Sequence, residues 1–282
     1  MTGFVFAVVL ISAVSHALWN VIAKGSRGDA LIRSAAIVTG AGITALPLLA
    51  VTGLPDSASL PYLGGSALVH TSYMLLIGIV YRSADMSAAY PILRGGALVM
   101  SAVLAAILLG DVLPPLAWAG VAMVAGGIFI ASADALKRKG IDGPTLGAAA
   151  IAALTVTAYT LLDGAGVRLS NNAFGYVFVL MAATALVFAL VMMKMGRIAE
   201  LASAENCRLG LAGGALFNVS YGAALWAMTQ APIGQVGAVR ETSILFGAAF
   251  AAFFLREKFG MWRWIAAIVI VAGLALTRVA RG

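Results

Sequence analysis

Apolar residues run along this chain in long blocks, interrupted only by short clusters of polar and charged positions. A helix needs roughly 20 mostly apolar residues to cross a hydrocarbon core about 30 Å thick at a rise of about 1.5 Å per residue. Ten stretches meet that requirement: residues 4–23, 32–52, 61–81, 87–109, 115–133, 144–164, 173–193, 209–230, 234–255 and 262–279. Connections such as Thr52 to Ser59, Gly110 to Pro115 and Ala231 to Gly234 leave no room for a further domain. The pattern predicts an all-α membrane protein with ten transmembrane helices. The opening MTGFVFAVVLISAVSHALWN has no positive charge before its apolar run and no polar chain after it, so it reads as a retained helix rather than a signal peptide.

Composition supports that pattern. With 62% hydrophobic and 10% charged residues, and a mean hydropathy of +1.02, the chain's main solvent is lipid. The net charge of +7 does not suggest nucleic acid as a partner, because Lys and Arg punctuate the apolar runs instead of gathering on one solvated face. Cys207 is alone, and the two histidines have no neighbouring Cys or carboxylate cluster, so no disulfide, metal or cofactor is expected. Loops after the odd-numbered stretches carry thirteen Lys and Arg, from Lys24 to Arg263, against Arg168, Arg278 and Arg281 on the other side. Positive loops stay cytoplasmic. Both termini are therefore expected on the non-cytoplasmic face of a bacterial inner membrane, with the lipid bilayer as the surrounding partner.

The chain aligns with itself at an offset of 146: Arg94 meets Arg240, Trp118 meets Trp264, Gly127 meets Gly273 and Asp111 meets Glu257. An intramembrane Arg followed 24 residues later by a Trp, in both copies, points to duplication. Five helices per copy is an odd number, so the second copy enters the membrane from the opposite side. The expected architecture is two inverted five-helix repeats, residues 1–139 and 140–282, around a central cavity.

At this point the sequence resembles the drug/metabolite transporter superfamily, specifically its ten-helix EamA-type members. HALWNVIAK, AAYPILRGG, GDVLPPLAWAGVAMVAGG, TAYTLLDGAGVR and AVRETSILFGA followed by LREKFGMWRWIAAIVIVAG carry the likeness in order. The resemblance implies a basket of helices lined chiefly by the first, third, fourth, sixth, eighth and ninth. It also implies export or exchange of amino acids, related metabolites or drugs. The small four-helix cation exporters depend on a carboxylate in the first helix, and this first helix has none.

A charge at the bilayer centre costs about 2.5 to 3.5 kcal/mol on insertion scales, so it persists where it faces protein or water. Arg94 and Arg240 are candidates for holding an anionic group, since the guanidinium fork matches planar oxyanions. Glu241 is the expected proton carrier, because withdrawing a carboxylate from water favours its neutral form. The alternative is a structural lock in which an arginine pairs with Glu241 or Asp163. Polar and aromatic residues at helical spacing extend the candidate substrate site to His16, Trp19 and Asn20 on the first helix, His70 on the third and Tyr90 on the fourth. Tyr159 on the sixth, with Asn218, Tyr221 and Trp226 on the eighth, completes it. Ala122 and Gly126 offer a close helix approach, and Pro91 is placed to interrupt the fourth helix beside Arg94.

The functional expectation is a secondary transporter, an exporter, that moves a small metabolite such as an amino acid or related organic anion or zwitterion by alternating access. A drug or cation efflux carrier and a non-transporting structural or sensory protein are the alternatives. Ser66 and His70 share a helix face, but with no GxSxG elbow, no HExxH and no intramembrane aspartate pair the chain is not expected to be an enzyme. Its partner is a small-molecule substrate; monomer and homodimer are not distinguished.

Overall fold

The computed structural model describes residues 1–26, 29–83, 86–131, 133, 143–255 and 260–280, with only the backbone described at residues 77–83, 86–88, 90, 91, 251, 252, 254 and 255. The expected boundary between 139 and 140, the repeat partner Glu257 and the basic residues at 137–139, 256 and 258 lie outside the described residues. Regular structure among the described residues is helical. In chain order it comprises α1 (Gly3–Gly25), α2 (Ala30–Thr52), α3 (Leu60–Ser83), α4 (Met86–Leu108), α5 (Pro115–Ala131), α6 (Gly143–Leu169), α7 (Ala173–Lys194), α8 (Ala204–Met228), α9 (Ile233–Arg240), α10 (Ser243–Leu255) and α11 (Met261–Val279). Among the described residues, α1, α2, α6, α7, α8 and α11 are long and apolar enough to cross a membrane; α5 and residues 92–108 of α4 are shorter apolar helices.

The helix ends follow from local chemistry. Asp29 accepts a hydrogen bond from the Leu31 amide at 2.7 Å, and Asn172 accepts one from Gly175 at 2.9 Å, each satisfying a first-turn donor. Beyond the ends of α2 and α4, Gly53 and Gly110 take φ of 77° and 69°, the left-handed stop that glycine adopts at least cost.

The ninth stretch is not one helix. It breaks at Glu241–Thr242 between α9 and α10. The Thr242 amide donates to the Val239 carbonyl at 3.1 Å, and its hydroxyl donates to the same oxygen at 2.7 Å. That tightens the turn from the i−4 to the i−3 pattern. The expected interruption at Pro91 does not occur: α4 runs through it without a break, as α2 runs through Pro47. Proline is tolerated inside membrane helices where surrounding protein satisfies the freed carbonyl.

Small residues set the closest helix crossings. A methyl on Gly210 would lie 2.6 Å from the Ala36 carbonyl, and one on Gly40 would overlap Gly210 itself, so α2 and α8 touch backbone to backbone. Across α5 and α11, Gly120 and Gly273 do the same, each blocked by the other's carbonyl at 2.6 and 2.8 Å. The close-approach face of α5 therefore carries Gly120 and Gly127. Ala122 is exposed, and Gly126 has nothing within 4 Å of an added methyl, because that face points outward. α2 packs on α7 and α8, α1 on α8, and α3 and α4 on α6. Large apolar side chains such as Ile43, Ile107, Leu186 and Ile268 cover the outside, as a helix wall in hydrocarbon requires.

Polar contacts gather at the two ends of the bundle. At one, Asp111 takes both terminal nitrogens of Arg168 at 2.7 and 2.9 Å and the Ile233 amide at 2.8 Å, while Arg168 Nε donates to the Met228 carbonyl at 2.9 Å. At the other, Arg197 bridges Asp29 at 3.2 Å and Glu200 at 2.6 Å, and that cation holds the Glu200 carboxyl below the usual carboxylate range.

Candidate functional site

Arg94 projects from α4 and meets Glu241, in the break between α9 and α10, through two contacts: Nε to Oε2 at 3.0 Å and Nη2 to Oε1 at 2.8 Å. Both residues are 8% exposed, so this is a two-point ion pair withdrawn from water. It is the pairing the lock alternative named, and it ties the fourth stretch to the ninth. The break gives Glu241 its place: successive residues on a regular helix point about 100° apart, and the tightened turn re-aims the carboxylate towards Arg94.

Arg240, one residue earlier, behaves differently. Its guanidinium stands 5.4 Å from the centroid of the Tyr221 ring on α8, and its buried Nε has no hydrogen-bond partner. Among the described residues no carboxylate lies within ion-pair distance of it. A cation over a ring face gains about 0.5 to 2 kcal/mol, less than a buried carboxylate would give, and the fork stays available to an oxyanion.

Tyr221 also reaches the other way. Its hydroxyl donates to Asp163 Oδ2 on α6, and Tyr176 on α7 donates to Oδ1 at 3.1 Å. His70 on α3 places Nε2 2.9 Å from the Tyr221 hydroxyl and 3.3 Å from Asp163 Oδ2, and its ring stacks on Tyr159 at 3.9 Å. Asp163 and Tyr176 are 0% exposed and His70 is 4%. His70, Tyr159 and Tyr221 thus come together as one network. Asp163, which the sequence offers both as a lock partner and on the polar stripe of the sixth stretch with Thr155 and Tyr159, is its centre. The four-residue spacing to Tyr159 hinted at Asp163, but Tyr176 carried no sequence signal. His70 is committed to this network, while the Ser66 hydroxyl is buried with no hydrogen-bond partner, so no Ser-His pair forms.

The α1 candidates divide. The His16 and Trp19 rings meet edge to face at 5.1 Å, Trp19 packs against Phe217 at 5.4 Å, and both His16 Nδ1 and Trp19 Nε1 are buried without hydrogen-bond partners. Asn20 is exposed, with its amide donating to the His16 carbonyl of its own helix at 2.7 Å. Asn218 and Trp226 face away from the charged residues. Asn218 donates to the Ala41 carbonyl and to Thr44 on α2, both at 2.9 Å, and Trp226 meets Phe4 edge to face at 5.7 Å. The pull of the α2 carbonyl turns this strip of α8 from the interior. Tyr90's side chain lies outside the described residues.

Two hollows accompany these groups. A narrow crevice of about 40 Å³ is lined by Arg94, Ser101, Tyr159, Thr160, Arg240 and Glu241, room for about one or two waters. A larger cavity of about 530 Å³ lies between α1, α2, α7 and α8, walled by Phe4, Leu48, Phe174, Phe178 and Trp226 among others. It is apolar and reaches the surface through exposed Phe4 and Phe174, so it faces lipid. The ample space is thus not where the charges are; the side chains of α4, α6 and α9 close over the charged crevice.

An all-helical bundle with a lipid-facing apolar exterior and paired charges in its interior defines a multi-pass membrane protein. Residues 144–279 match the EamA-like transporter family, and a domain of that family is present there, consistent with the drug/metabolite transporter superfamily. A solved crystal structure superposes on 98% of this chain and 99% of its own with a TM-score of 0.73 at 17% identity, a likeness of fold. No curated protein matches the chain.

Proposed function

We propose that the chain is a secondary transporter that exports a small organic anion or zwitterion, an amino acid being the first candidate, by alternating access. The observation that carries this reading is Arg240: a guanidinium inside the bundle, stacked on an aromatic ring and paired with no carboxylate among the described residues. Keeping such a charge is costly, and a substrate carboxylate on its fork would offset the cost. Glu241 is the proton-coupling residue of this proposal, because a proton on its carboxyl releases Arg94 for a second oxyanion contact. His16, Trp19, Asn20, His70, Tyr90, Tyr159 and Tyr221 form the wall of the site, with Asn218 and Trp226 joining only after α8 moves.

The crevice is far smaller than the 300 Å³ or so of a small-ligand pocket, so binding requires the helices to part, as alternating access does. The packing supports two exchangeable halves. α5 lies on α11 and α2 on α7, each helix against its repeat counterpart, while α1 on α8 mirrors α6 on α3. Residues 1–139 and 140–282 are the proposed repeats, with both termini on the non-cytoplasmic side of a bacterial inner membrane.

Proteoliposomes loaded with radiolabelled amino acids and organic acids test the proposal by counterflow. We expect exchange of at least one carboxylate-bearing solute, and at least a tenfold loss in Arg240→Gln with the melting temperature in detergent retained. Absence of counterflow across the panel, or full activity in that variant, overturns it.

A further inference from the structure

Charge in the bundle interior is held in two places. Arg94 is neutralised at close range by Glu241. Arg240 has no carboxylate within ion-pair distance among the described residues: Glu241 beside it in the same crevice is held by Arg94, and Asp163 lies beyond the Tyr221 ring and hydroxyl. The interior guanidiniums of Arg94 and Arg240 match the carboxylates of Glu241 and Asp163 in number, so an anion arriving on Arg240 would leave one negative charge uncompensated, with Asp163, 0% exposed, the carboxylate that has no arginine within ion-pair distance. Buried charges without a counter-charge are strongly disfavoured, so anion binding calls for one proton.

Two groups could receive it. A proton on Glu241 breaks a two-point ion pair already made. A proton on His70 creates one, since Nε2 already stands 3.3 Å from Asp163 Oδ2 and 2.9 Å from Tyr221. Histidine is also the side chain whose ordinary titration falls between about pH 5 and 8. Building on the anion-carrier reading, we propose that His70 is a second proton-binding site, with Asp163 as its counter-ion and Tyr221 as the link to Arg240.

The groups facing this imidazole are Asp163 and Tyr159 from α6 and Tyr221 from α8. Tyr176 from α7 shares the Asp163 carboxylate, Arg240 from α9 acts through the Tyr221 ring, and Tyr73 on α3 meets Tyr159 at 5.9 Å. The proton comes from the water on the loading side and returns to water on the other. The proton on His70 crosses with an organic monoanion in the same direction, so that through this site the neutral acid is what moves, and any proton carried on Glu241 adds to that one.

The chain has two histidines, which makes the test direct. In a His16→Gln background, ¹⁵N-histidine labelling gives one imidazole, and its nitrogen shifts report protonation against pH in detergent. Arg240→Gln imitates the loss of the cation on anion binding, and it should raise the protonated share of the imidazole several-fold at a fixed pH near the middle of the ordinary histidine range. Asp163→Asn, which removes the counter-ion, should lower that share. Tyr221→Phe, which keeps the ring but removes the hydroxyl, should shrink the response to Arg240→Gln. An imidazole that stays neutral down to about pH 5, or a protonated share unchanged by Arg240→Gln, overturns the proposal. Counterflow by the wild-type protein is read separately, so a failed transporter reading and a failed proton site give different results.

Discussion

The two interior arginines, which the sequence aligns with each other at an offset of 146, differ in chemistry. Arg94 has a carboxylate at 2.8 Å, so deleting the arginine strands Glu241 in a buried position. Breaking such a pair by removing one partner costs about 3 to 5 kcal/mol, whereas removing both charges together costs much less. Arg94→Ala should therefore lower the melting temperature in detergent sharply, and Glu241→Ala added to it should recover much of the loss. Additive losses in the double variant would show that the pair is not what holds α4 to the break. Arg240→Gln strands no carboxylate within ion-pair distance and, with His70 3.3 Å from Asp163 to take a proton, should melt close to the wild-type temperature. The sequence located both arginines, and their different pairing was not readable from it: residues 94 and 241 are 147 apart, and only the packing of α4 on the break sets the distance.

Helix crossings are where the elements acquire their specificity. In lipid the tails are as apolar as the side chains, so helices associate through close packing and polar contacts rather than through hydrophobic burial. Gly210→Ala drives a methyl to 2.6 Å from the Ala36 carbonyl, and overpacking of this kind costs about 1 to 3 kcal/mol. Gly126→Ala meets nothing within 4 Å and should be neutral or slightly stabilising through helix propensity. Thermal melts of the two variants check both statements, and equal melting would mean that α2 and α8 do not touch as described. The positions of these helices were legible in their apolar runs. Their contact faces were not, because Ala and Gly occur on every side of α5. The break in the ninth stretch was hidden for a related reason: a single Thr gives no stop signal of the kind that Gly or Pro supplies.

For the molecule as a whole, the Asp111–Arg168 contact closes one end. Arg168 joins the end of α6 to the α4–α5 connection and to the end of α8, and Asp111 adds the start of α9. A carrier that opens towards that end must break these bonds, so weakening them should favour the open arrangement. In a Cys207→Ser background, Ser101→Cys places a thiol in the charged crevice lining. Adding Asp111→Asn should speed its modification by a membrane-impermeant maleimide applied from that side several-fold. An unchanged rate would mean that the pair is not a closure. The same view of the molecule explains the empty-looking lateral cavity: a wall of Phe and Leu facing lipid needs no polar ligand to fill it.

Sequence by itself determined the solvent, the helical character of the long apolar stretches and the presence of expensive charges. Apolar length and the rarity of Asp, Glu, Lys and Arg are properties of the chain that no packing can alter. Tertiary structure decided which charges neutralise each other, that Asp163 gathers His70, Tyr176 and Tyr221, and that Asn218 bonds to α2 while Trp226 packs on Phe4 of α1. The physical reason is range. Helix formation and membrane insertion are settled within about 20 consecutive residues, while an ion pair or a hydrogen bond is settled by a few tenths of an ångström between side chains whose helices meet only in the folded bundle.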